Sequence, residues 1–376
     1  MKRIIKIIIK EILQIKRDPK MLVIILISPL MQLFFLGFAA NYDVNIVHTA
    51  VYNMDKTAES RTLLEHFTGS NYFSFDYYVD SYDELQNLID DGKIILGITI
   101  PKDFERDIHR GIPAKVQAVF DGSDGNTASV SAGYVQNIVA QYSKNLSVSY
   151  ARRKGINTSK FVLPEAVTRV WYNPELRTRN YMVPGIVGLL LMIVTLLLTS
   201  LAIVKEREIG TLEQLIVTPI KPVELMVGKL VPFAMLGFVA TTIILTAMYL
   251  IFAIPIKGSI VFIYFSTSLF ILSTLGLGMF VSTISKTQQQ AMMIAIFVIM
   301  MPMIYLSGFV FPIENMPKVI QYFTYLIPLR YFLTIIRGVI LKGTGIADYY
   351  FQLSMLLFIG ISILTASSFG FRKKIE

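Results

Sequence analysis

One short polar run, between two long apolar segments, contains the residues that are best suited to contact a partner. It extends from Lys205 to Pro219 and reads KEREIGTLEQLIVTP. Thr211 and Gln214 have the spacing of a capping box, which satisfies free backbone N–H groups at the start of a helix, and Pro219 limits its far end. We predict a short helix with a charged entry. On the residues alone, it is either an element that docks into a partner or a solvated turn.

The chain lacks the residue sets that covalent chemistry requires. It contains no cysteine and no Gly-x-x-x-x-Gly-Lys-Ser/Thr motif for ATP, and the Gly-rich piece Lys342–Gly345 has no lysine after its second glycine. The three histidines, His48, His66 and His109, are far apart in sequence. The acidic turn at 121–125 lacks the full set of calcium ligands, so we interpret it as a plain turn. We predict a protein that is not an enzyme and holds no metal or cofactor.

The composition is that of a membrane protein. Of the 376 residues, 54% are hydrophobic and only 16% are charged, whereas soluble domains are about 25% charged. A membrane span needs about 20 apolar residues of helix. The segments that meet this requirement are 21–40, 181–204, 231–254, 260–284, 291–311 and 350–371. We predict a polytopic α-helical membrane protein with six transmembrane helices, the first an uncleaved signal anchor.

The short loops predict the orientation. Residues 1–20, 205–230, 285–290 and 372–376 carry more Lys and Arg than the loops on the other side, which places both termini in the cytoplasm of a cell-membrane protein. Residues 1–20 then form an amphipathic helix in the membrane interface, with Lys2, Lys6, Lys10 and Arg17 towards lipid phosphates. The net charge of +9 is explained by contact with lipids, and no basic and aromatic stripe indicates a nucleic-acid partner.

The polar block at 41–180 is predicted to be an inserted extracytoplasmic α/β domain. Apolar β-branched runs predict strands at 46–52, 72–79, 94–100 and 116–120. Ser81 and Glu84 form a capping-box pattern at the start of a helix, and a long polar helix is expected from Asn126 to about Lys154.

Ion-coupled transport is not favoured by the apolar segments. Such transporters usually place ionisable groups inside the membrane, and the predicted spans have none in their central stretches. If the protein moves a substrate, we expect the energy to come from another chain.

Several runs along the chain resemble the ABC-2 type transporter permeases, in particular the bacterial multidrug-export branch with a large extracytoplasmic domain between spans one and two. These runs are Trp171–Arg177, Asn180–Gly185, Lys205–Leu215, Ser307–Gly308 and Phe311–Pro317, followed by Pro328, Arg337–Gly338 and Lys342–Gly343. The resemblance covers essentially the whole chain in order.

The resemblance implies an exporter of lipophilic or amphiphilic compounds. Such permeases form dimers, of two copies or of a copy and a paralogue, and each half binds an ABC ATP-binding subunit that holds ATP and Mg. Residues 1–20 then correspond to the interfacial helix, 181–371 to a five-helix transmembrane domain, and 312–349 to an outer hairpin within it. Within the cytoplasmic region 205–230, the residues assigned to ATPase coupling are Glu206, Arg207, Glu208, Gly210, Thr211, Leu212, Glu213, Gln214 and Leu215.

Under the same resemblance, spans two and five are the expected walls of a substrate path at the dimer seam. The candidate residues are Pro184, Gly185, Gly188, Met300, Met301, Met303 and Tyr305. Ordinary helix packing explains the same residues nearly as well. Two other functions stay open, an exporter of lipids or lipid-linked polysaccharide and a non-transporting receptor or scaffold. The cargo, the make-up of the dimer and the involvement of a periplasmic adaptor are not determined by the sequence.

Overall fold

A computed structural model describes residues 2–39, 46–153, 171–173, 177–210 and 222–372. The chain forms two compact units. Unit 1 comprises Met1–Asn41 and Val170–Glu376, and unit 2 comprises Tyr42–Arg169. Unit 2 therefore interrupts the sequence of unit 1.

The chain is mostly helical. In chain order, the main elements are α1 (Lys2–Arg17), α2 (Pro19–Ala39), β1 (Val47–Asn53), α3 (Ala58–Thr68), β2 (Phe73–Tyr78), α4 (Tyr82–Asp90), β3 (Leu96–Ile100), α5 (Phe104–Arg110), β4 (Gln117–Phe120), α6 (Gly125–Arg153), α7 (Thr178–Glu208), α8 (Pro222–Phe252), α9 (Ile260–Ile284), α10 (Gln288–Leu306), α11 (Lys318–Thr324), α12 (Pro328–Lys342) and α13 (Tyr350–Arg372). Short 3₁₀ turns lie at Ile313–Asn315 and Ile346–Tyr349. Helix α10 contains a π-helical segment, Ile294–Met300, and α12 ends in another, Gly338–Lys342.

Several helices have the length and composition of membrane spans. Within the described ranges, five helices qualify, namely α7, α8 from Val223, α9, α10 and the helix Ile346–Phe369. They lie at the positions of the predicted spans two to six. The first predicted span falls in α2, whose described apolar part is Ile27–Ala39. The bent pair of α11 and α12, with 82° between its helices, also passes the test as a pair, which gives five or six candidates.

Two helices extend further than the apolar segments that predict them. Helix α7 continues to Glu208, past the predicted end at residue 204, and α8 already begins at Pro222, before residue 231. The additional turns carry charged side chains. Glu206 in the added turn of α7 pairs with Lys229 in the added turns of α8, as described below.

Helix α7 lies at the centre of unit 1. In its most apolar window, 78% of the residues are buried, compared with 22% for α10 and for the last helix. It packs against α2, α8, α9, α10 and α12. Because α7 is surrounded by protein, it is the central helix of this packing, whereas α13 packs mainly against α9.

Small and hydroxylated residues bring the helices of unit 1 close together. A Cβ at Gly278 of α9 would lie 2.8 Å from the backbone oxygen of Leu196 in α7. The Thr195 hydroxyl lies 2.7 Å from that of Thr274, and Ser367 donates to the backbone oxygen of Gly276. Apolar helices in a membrane associate by such close packing and by interhelical hydrogen bonds.

The bend between α11 and α12 is held by polar contacts within the pair. The Arg330 guanidinium donates to the Thr324 hydroxyl and lies 4.1 Å from the centre of the Tyr325 ring. The Tyr331 hydroxyl donates to the backbone oxygen of Tyr325 at 2.9 Å. Pro328 at the first turn of α12 fits the start of a helix, since its missing N–H would have no partner there.

Unit 2 contains a four-stranded sheet with helices on both faces. The strand order is β2-β1-β3-β4, with β1 parallel to β2 and β3, and β4 antiparallel to β3. Leu96 and Ile98 of β3 share a core with α3, α5 and α6, whereas a Cβ at Gly97 would lie 2.5 Å from Leu85 of α4. Because successive strand residues point to opposite faces, α4 covers the face opposite α3.

Three of the four strands lie within the segments from which the sequence predicts them, and β1 ends one residue beyond its segment, at Asn53. The helix start at Ser81 is confirmed. The Ser81 hydroxyl accepts from the Glu84 backbone N–H at 3.1 Å. The Glu84 carboxylate, however, accepts from the N–H of Asp80 and not from that of Ser81. At the turn before α6, the Asp121 carboxylate accepts from the Ser123 N–H at 2.8 Å.

The contact at Gly278 gives a first prediction. Gly278→Ala places a methyl group against the backbone of α7, and overpacking of this kind costs about 1–3 kcal/mol. We expect a lower midpoint of heat denaturation, measured by gel filtration of a fluorescently tagged protein after heating. Gly345→Ala is the matched control, because a Cβ at Gly345 meets nothing within 4 Å. Equal midpoints for the two variants would contradict the close packing of α7 and α9.

Candidate functional site

The predicted coupling residues begin at the last turn of α7. Glu206, Arg207 and Glu208 are helical, and Gly210 follows with a φ of 78°, a conformation that favours glycine. The other predicted coupling residues, Thr211, Leu212, Glu213, Gln214 and Leu215, lie outside the described residues.

Glu206 lies at the centre of a buried group of charges. One carboxylate oxygen accepts from the ammonium group of Lys10 in α1, and the other accepts from Lys229 in α8. Oε1 of Glu11 lies 3.1 Å from Nζ of Lys10 and 3.6 Å from Nζ of Lys229. We call these four residues, Lys10, Glu11, Glu206 and Lys229, the ionic cluster.

The ionic cluster is electrically balanced and largely removed from water. Glu11 and Glu206 are each 4% exposed and Lys229 is 3% exposed, and the two negative charges match the two positive ones. An unpaired charge at such a place would cost several kcal/mol. The cluster therefore fixes the positions of α1, α7 and α8 relative to one another.

Lys10 is the solvent-facing member of the cluster. Burial lowers the pKa of its ammonium group, but hydrogen bonds to Glu206 and Glu11 raise that pKa by more, so that it lies above its ordinary value. Lys10 thus stays charged at neutral pH. The sequence pattern places Lys10 on the lipid-facing side of α1, whereas in the structure its ammonium group contacts two carboxylates.

The face of α1 that packs against protein consists of Ile7, Glu11 and Ile15. A Cβ at Gly228 of α8 would lie 2.7 Å from the Ile7 side chain, so glycine is what lets the two helices approach here. Ile5 and Ile12, in contrast, are exposed. The contact with α8 brings Glu11 within reach of Lys229.

The remaining charges of the run bind other elements. Lys205 lies 3.2 Å from the carboxylate of Asp18. Arg207 donates to the backbone oxygens of Ser282 and Ser285, at the carboxyl end of α9, where a positive charge is favourable.

Glu208 binds the start of α10. Its carboxylate accepts from the backbone N–H of Gln288 at 2.8 Å and also from the Gln288 side chain. A negative charge is favourable at the amino end of a helix. The run Lys205–Glu208 therefore links the end of α7 to Asp18, α1, α8, α9 and α10.

Sequence reasoning identified the charged run but missed its partners Lys10, Glu11, Lys229 and Gln288. The available signal was a set of complementary charges just outside the apolar segments. It did not indicate which charges would meet, because the partners are far apart along the chain.

The predicted path residues of α7 lie in the packed core. Pro184, Gly185 and Gly188 are buried. A Cβ at Gly188 would lie 3.1 Å from Phe332 of α12, and one at Gly185 would lie 2.9 Å from the Arg337 guanidinium. These small residues let α12 approach α7 closely.

The predicted path residues of α10 divide between two faces. Met300 and Met303 are buried, at 6% and 5% exposure, whereas Met301 and Tyr305 are 43% and 47% exposed. Phe297 and Val298 are exposed as well. The exposed face of α10 thus presents large apolar side chains to its surroundings.

The other end of α7 is joined to α12 through Arg337. Its guanidinium donates to the Tyr181 hydroxyl at 2.7 Å and to the backbone oxygen of Gly308 at 3.0 Å. It also lies 3.7 Å from the centre of the Tyr181 ring, a cation–π contact. A charge-based contact therefore holds α7 at each end.

These features define a helical membrane domain, and comparison with known proteins identifies its family. Residues 19–369 match the family described as ABC-2 family transporter protein. The chain belongs to this family and is a multi-pass membrane protein. Permeases of this family generally work with an ATP-binding subunit.

Three relatives from Escherichia coli (strain K12) are similar over nearly the whole chain. The probable multidrug ABC transporter permease YbhR is 33% identical over 366 residues, which cover 97% of each protein. The probable multidrug ABC transporter permease YbhS is 32% identical over 372 residues, 98% of this chain and 94% of the relative. The inner membrane transport permease YhhJ is 28% identical over 371 residues, 98% of this chain and 96% of the relative.

The ionic cluster gives a second prediction. Lys229→Met leaves two buried carboxylates with one ammonium group, and breaking a buried pair in this way costs about 3–5 kcal/mol. We expect a marked loss of heat stability, measured as above, with Lys318→Met in exposed α11 as the control.

Adding Glu206→Gln to Lys229→Met restores the balance of charge. The double variant should therefore recover part of the lost stability. A double variant that loses the sum of the two single effects would show that Glu206 and Lys229 act independently.

Proposed function

We propose that the chain is the membrane-spanning subunit of an exporter of lipophilic or amphiphilic, drug-like compounds that is powered by ATP on a separate subunit. Family membership and the multidrug permease relatives support this function. The observation that carries it is the run Lys205–Glu208, in which each side chain links α7 to a different part of unit 1.

The proposed topology has six spans with both termini in the cytoplasm. The excess of Lys and Arg in residues 1–20, 205–230, 285–290 and 372–376, taken together, supports this orientation. Unit 2 is then the extracytoplasmic α/β domain between spans one and two. The bent pair of α11 and α12 is the outer hairpin within 312–349.

The proposed partners are an ABC ATP-binding subunit and a second permease, either a copy of this chain or a paralogue. ATP and Mg²⁺ would bind the ATP-binding subunit and not this chain. That subunit would dock at the coupling region Glu206–Leu215, in which the buried Glu206 acts through the ionic cluster and not by direct contact. Membrane lipids surround the spans, and a periplasmic adaptor on unit 2 is compatible with the arrangement.

The contacts of the coupling residues suggest how force reaches the spans. A displacement at the end of α7 acts on α1 and α8 through Glu206, on α9 through Arg207 and on α10 through Glu208. Because the ionic cluster is buried and balanced, α1, α7 and α8 move as one body. Glu208 and Gln288 form the exposed link to α10.

The proposed substrate path runs along the seam between two permease copies. Gly185 and Gly188 allow α12 to pack close to α7 near this path, beside the buried Pro184. Met301 and Tyr305 line it with a soft and adaptable face, which suits varied apolar molecules. Met300 and Met303 support that face from the core.

A third prediction concerns the link between Glu208 and Gln288. The Glu208→Ala variant is co-expressed with the ATP-binding subunit, and the complex is purified and reconstituted in proteoliposomes. We expect the complex to stay intact, and the ATP hydrolysis that the dye Hoechst 33342 stimulates to fall several-fold. The reason is that the contact with α10 is removed while the ionic cluster stays.

The control for this experiment is Glu314→Ala, an exposed carboxylate beyond the far end of α10. Equal stimulation of ATP hydrolysis in the Glu208 and Glu314 variants would show that Glu208 takes no part in coupling. If the wild-type chain retains no ATP-binding subunit at all, the exporter function is wrong and a receptor or scaffold is the better explanation. Stimulation by a lipid or lipid-linked saccharide alone would assign that cargo instead.

A fourth prediction separates the two faces of α10. Tyr305→Ala, on the exposed face, should change the relative transport of different dyes and leave heat stability nearly unchanged. Met303→Ala, in the core, should cost about 2–5 kcal/mol of stability because it leaves a cavity. If Tyr305→Ala leaves the ranking of dyes unchanged, the exposed face does not line the path.

A further inference from the structure

Unit 2 contains a cavity that the proposed export path does not use. It has a volume of about 710 Å³ and lies between α6 and the part of the chain from Phe104 to Ala118. Ligand sites for drug-sized molecules have volumes of about 300–1,000 Å³. The cavity is therefore large enough for a small organic molecule.

The walls of the cavity are mainly apolar. They are formed by side chains from α3, α5 and α6, including Leu63, Phe104, Ile108, Val135, Val139 and Leu146. Leu63 and Phe104 are almost completely buried. Such a surface favours the apolar body of a ligand over water.

One part of the cavity is polar and carries a negative charge. The hydroxyl of the buried Tyr142 lies 3.1 Å from Oε2 of Glu59 and 3.2 Å from the Glu59 backbone oxygen. Both residues line the cavity. Burial, followed by the carboxylates of Glu59 and Glu105, raises the pKa of Tyr142 well above its ordinary value, so its hydroxyl stays protonated and can donate.

The Glu59 carboxylate has no cationic partner among the described residues. It is half-buried, which strengthens its interaction with any charge that enters the cavity. Lys115 and His109 also line the cavity, but both are exposed and lie at or after the end of α5. The positive charge of Lys115 disfavours a cation at that position.

We propose that this cavity binds a lipophilic cation, with the apolar body of the ligand against α6 and its positive charge at Glu59. The Glu59 carboxylate supplies the counter-charge, and the Tyr142 ring adds an aromatic surface beside it. All of the described residues that line the site belong to unit 2. It would serve as an acceptor for cationic amphiphiles, separate from any path between the spans.

The test compares two ions of the same shape and opposite charge, tetraphenylphosphonium and tetraphenylborate. The full chain in lipid nanodiscs, without ATP or an ATP-binding subunit, is studied by amide hydrogen exchange with mass spectrometry over a range of ion concentrations. Tetraphenylphosphonium should slow exchange in the peptides covering 104–116 and 135–147. Tetraphenylborate should not protect these peptides.

Three variants test whether the protection by tetraphenylphosphonium arises in the cavity and depends on Glu59. Glu59→Gln should weaken the protection by tetraphenylphosphonium about tenfold in apparent Kd, the scale of one lost charge-assisted contact. Glu65→Gln, an exposed carboxylate on the same helix and outside the cavity, should have no effect. Val139→Trp fills the cavity and should abolish protection, while unchanged exchange in β3 shows that unit 2 is still folded.

Several results would overturn the proposal. These are equal protection by the two ions, equal apparent Kd for the Glu59 and Glu65 variants, or protection confined to the helices of unit 1. Because the measurement needs neither ATP nor transport, a negative result leaves the proposed export function intact. Loss of ATP-dependent export would likewise leave this binding result standing.

Discussion

The neutralisation of the buried Glu206 carboxylate is the interaction on which the rest of unit 1 depends. A carboxylate that is 4% exposed must have a positive partner, and it has one on each side, Lys10 and Lys229. This requirement brings α1 against α8 and holds both to the end of α7. It also explains why α7 and α8 continue as helices beyond their apolar segments, since only the added turns carry Glu206 and Lys229 to the same place.

Helix α7 is fixed at both ends by charge and along its length by close packing. At one end the contacts are those of Lys205–Glu208, and at the other they are those of Arg337 with Tyr181 and Gly308. Between the ends, glycines and hydroxyl groups replace the bulky side chains that would keep the neighbouring helices apart. Such a helix transmits a displacement along its axis, because few of its contacts can slip without breaking a specific bond.

Much of this architecture could be predicted from the sequence because its signals are local. Uninterrupted apolar runs indicate the helices α7 to α10 and α13, shorter apolar β-branched runs indicate the strands, and Ser81 indicates the start of α4. The ionic cluster could not be predicted in the same way. Lys10, Glu206 and Lys229 are far apart in sequence, and each has the appearance of an ordinary flanking charge. The division of Met300, Met301, Met303 and Tyr305 between two faces likewise depends on what packs against α10, which a pattern on one helix does not contain.

The π-helical segment of α10 has a consequence for which side chains meet the surroundings of unit 1. A π turn contains one residue more than an α turn. Such turns are rare, and they frequently occur at functional sites. Each residue in an α-helix advances the side chains by about 100°, so the widened turn at Ile294–Met300 resets the rotational phase of all that follows. If the segment became regular α-helix with all its residues kept, Tyr305 would rotate by about 100° away from its exposed direction, whereas removing one residue would restore regular helix and keep that direction. The direction in which the second half of α10 faces is therefore set by the geometry of one turn, as well as by the chemistry of the side chains on it.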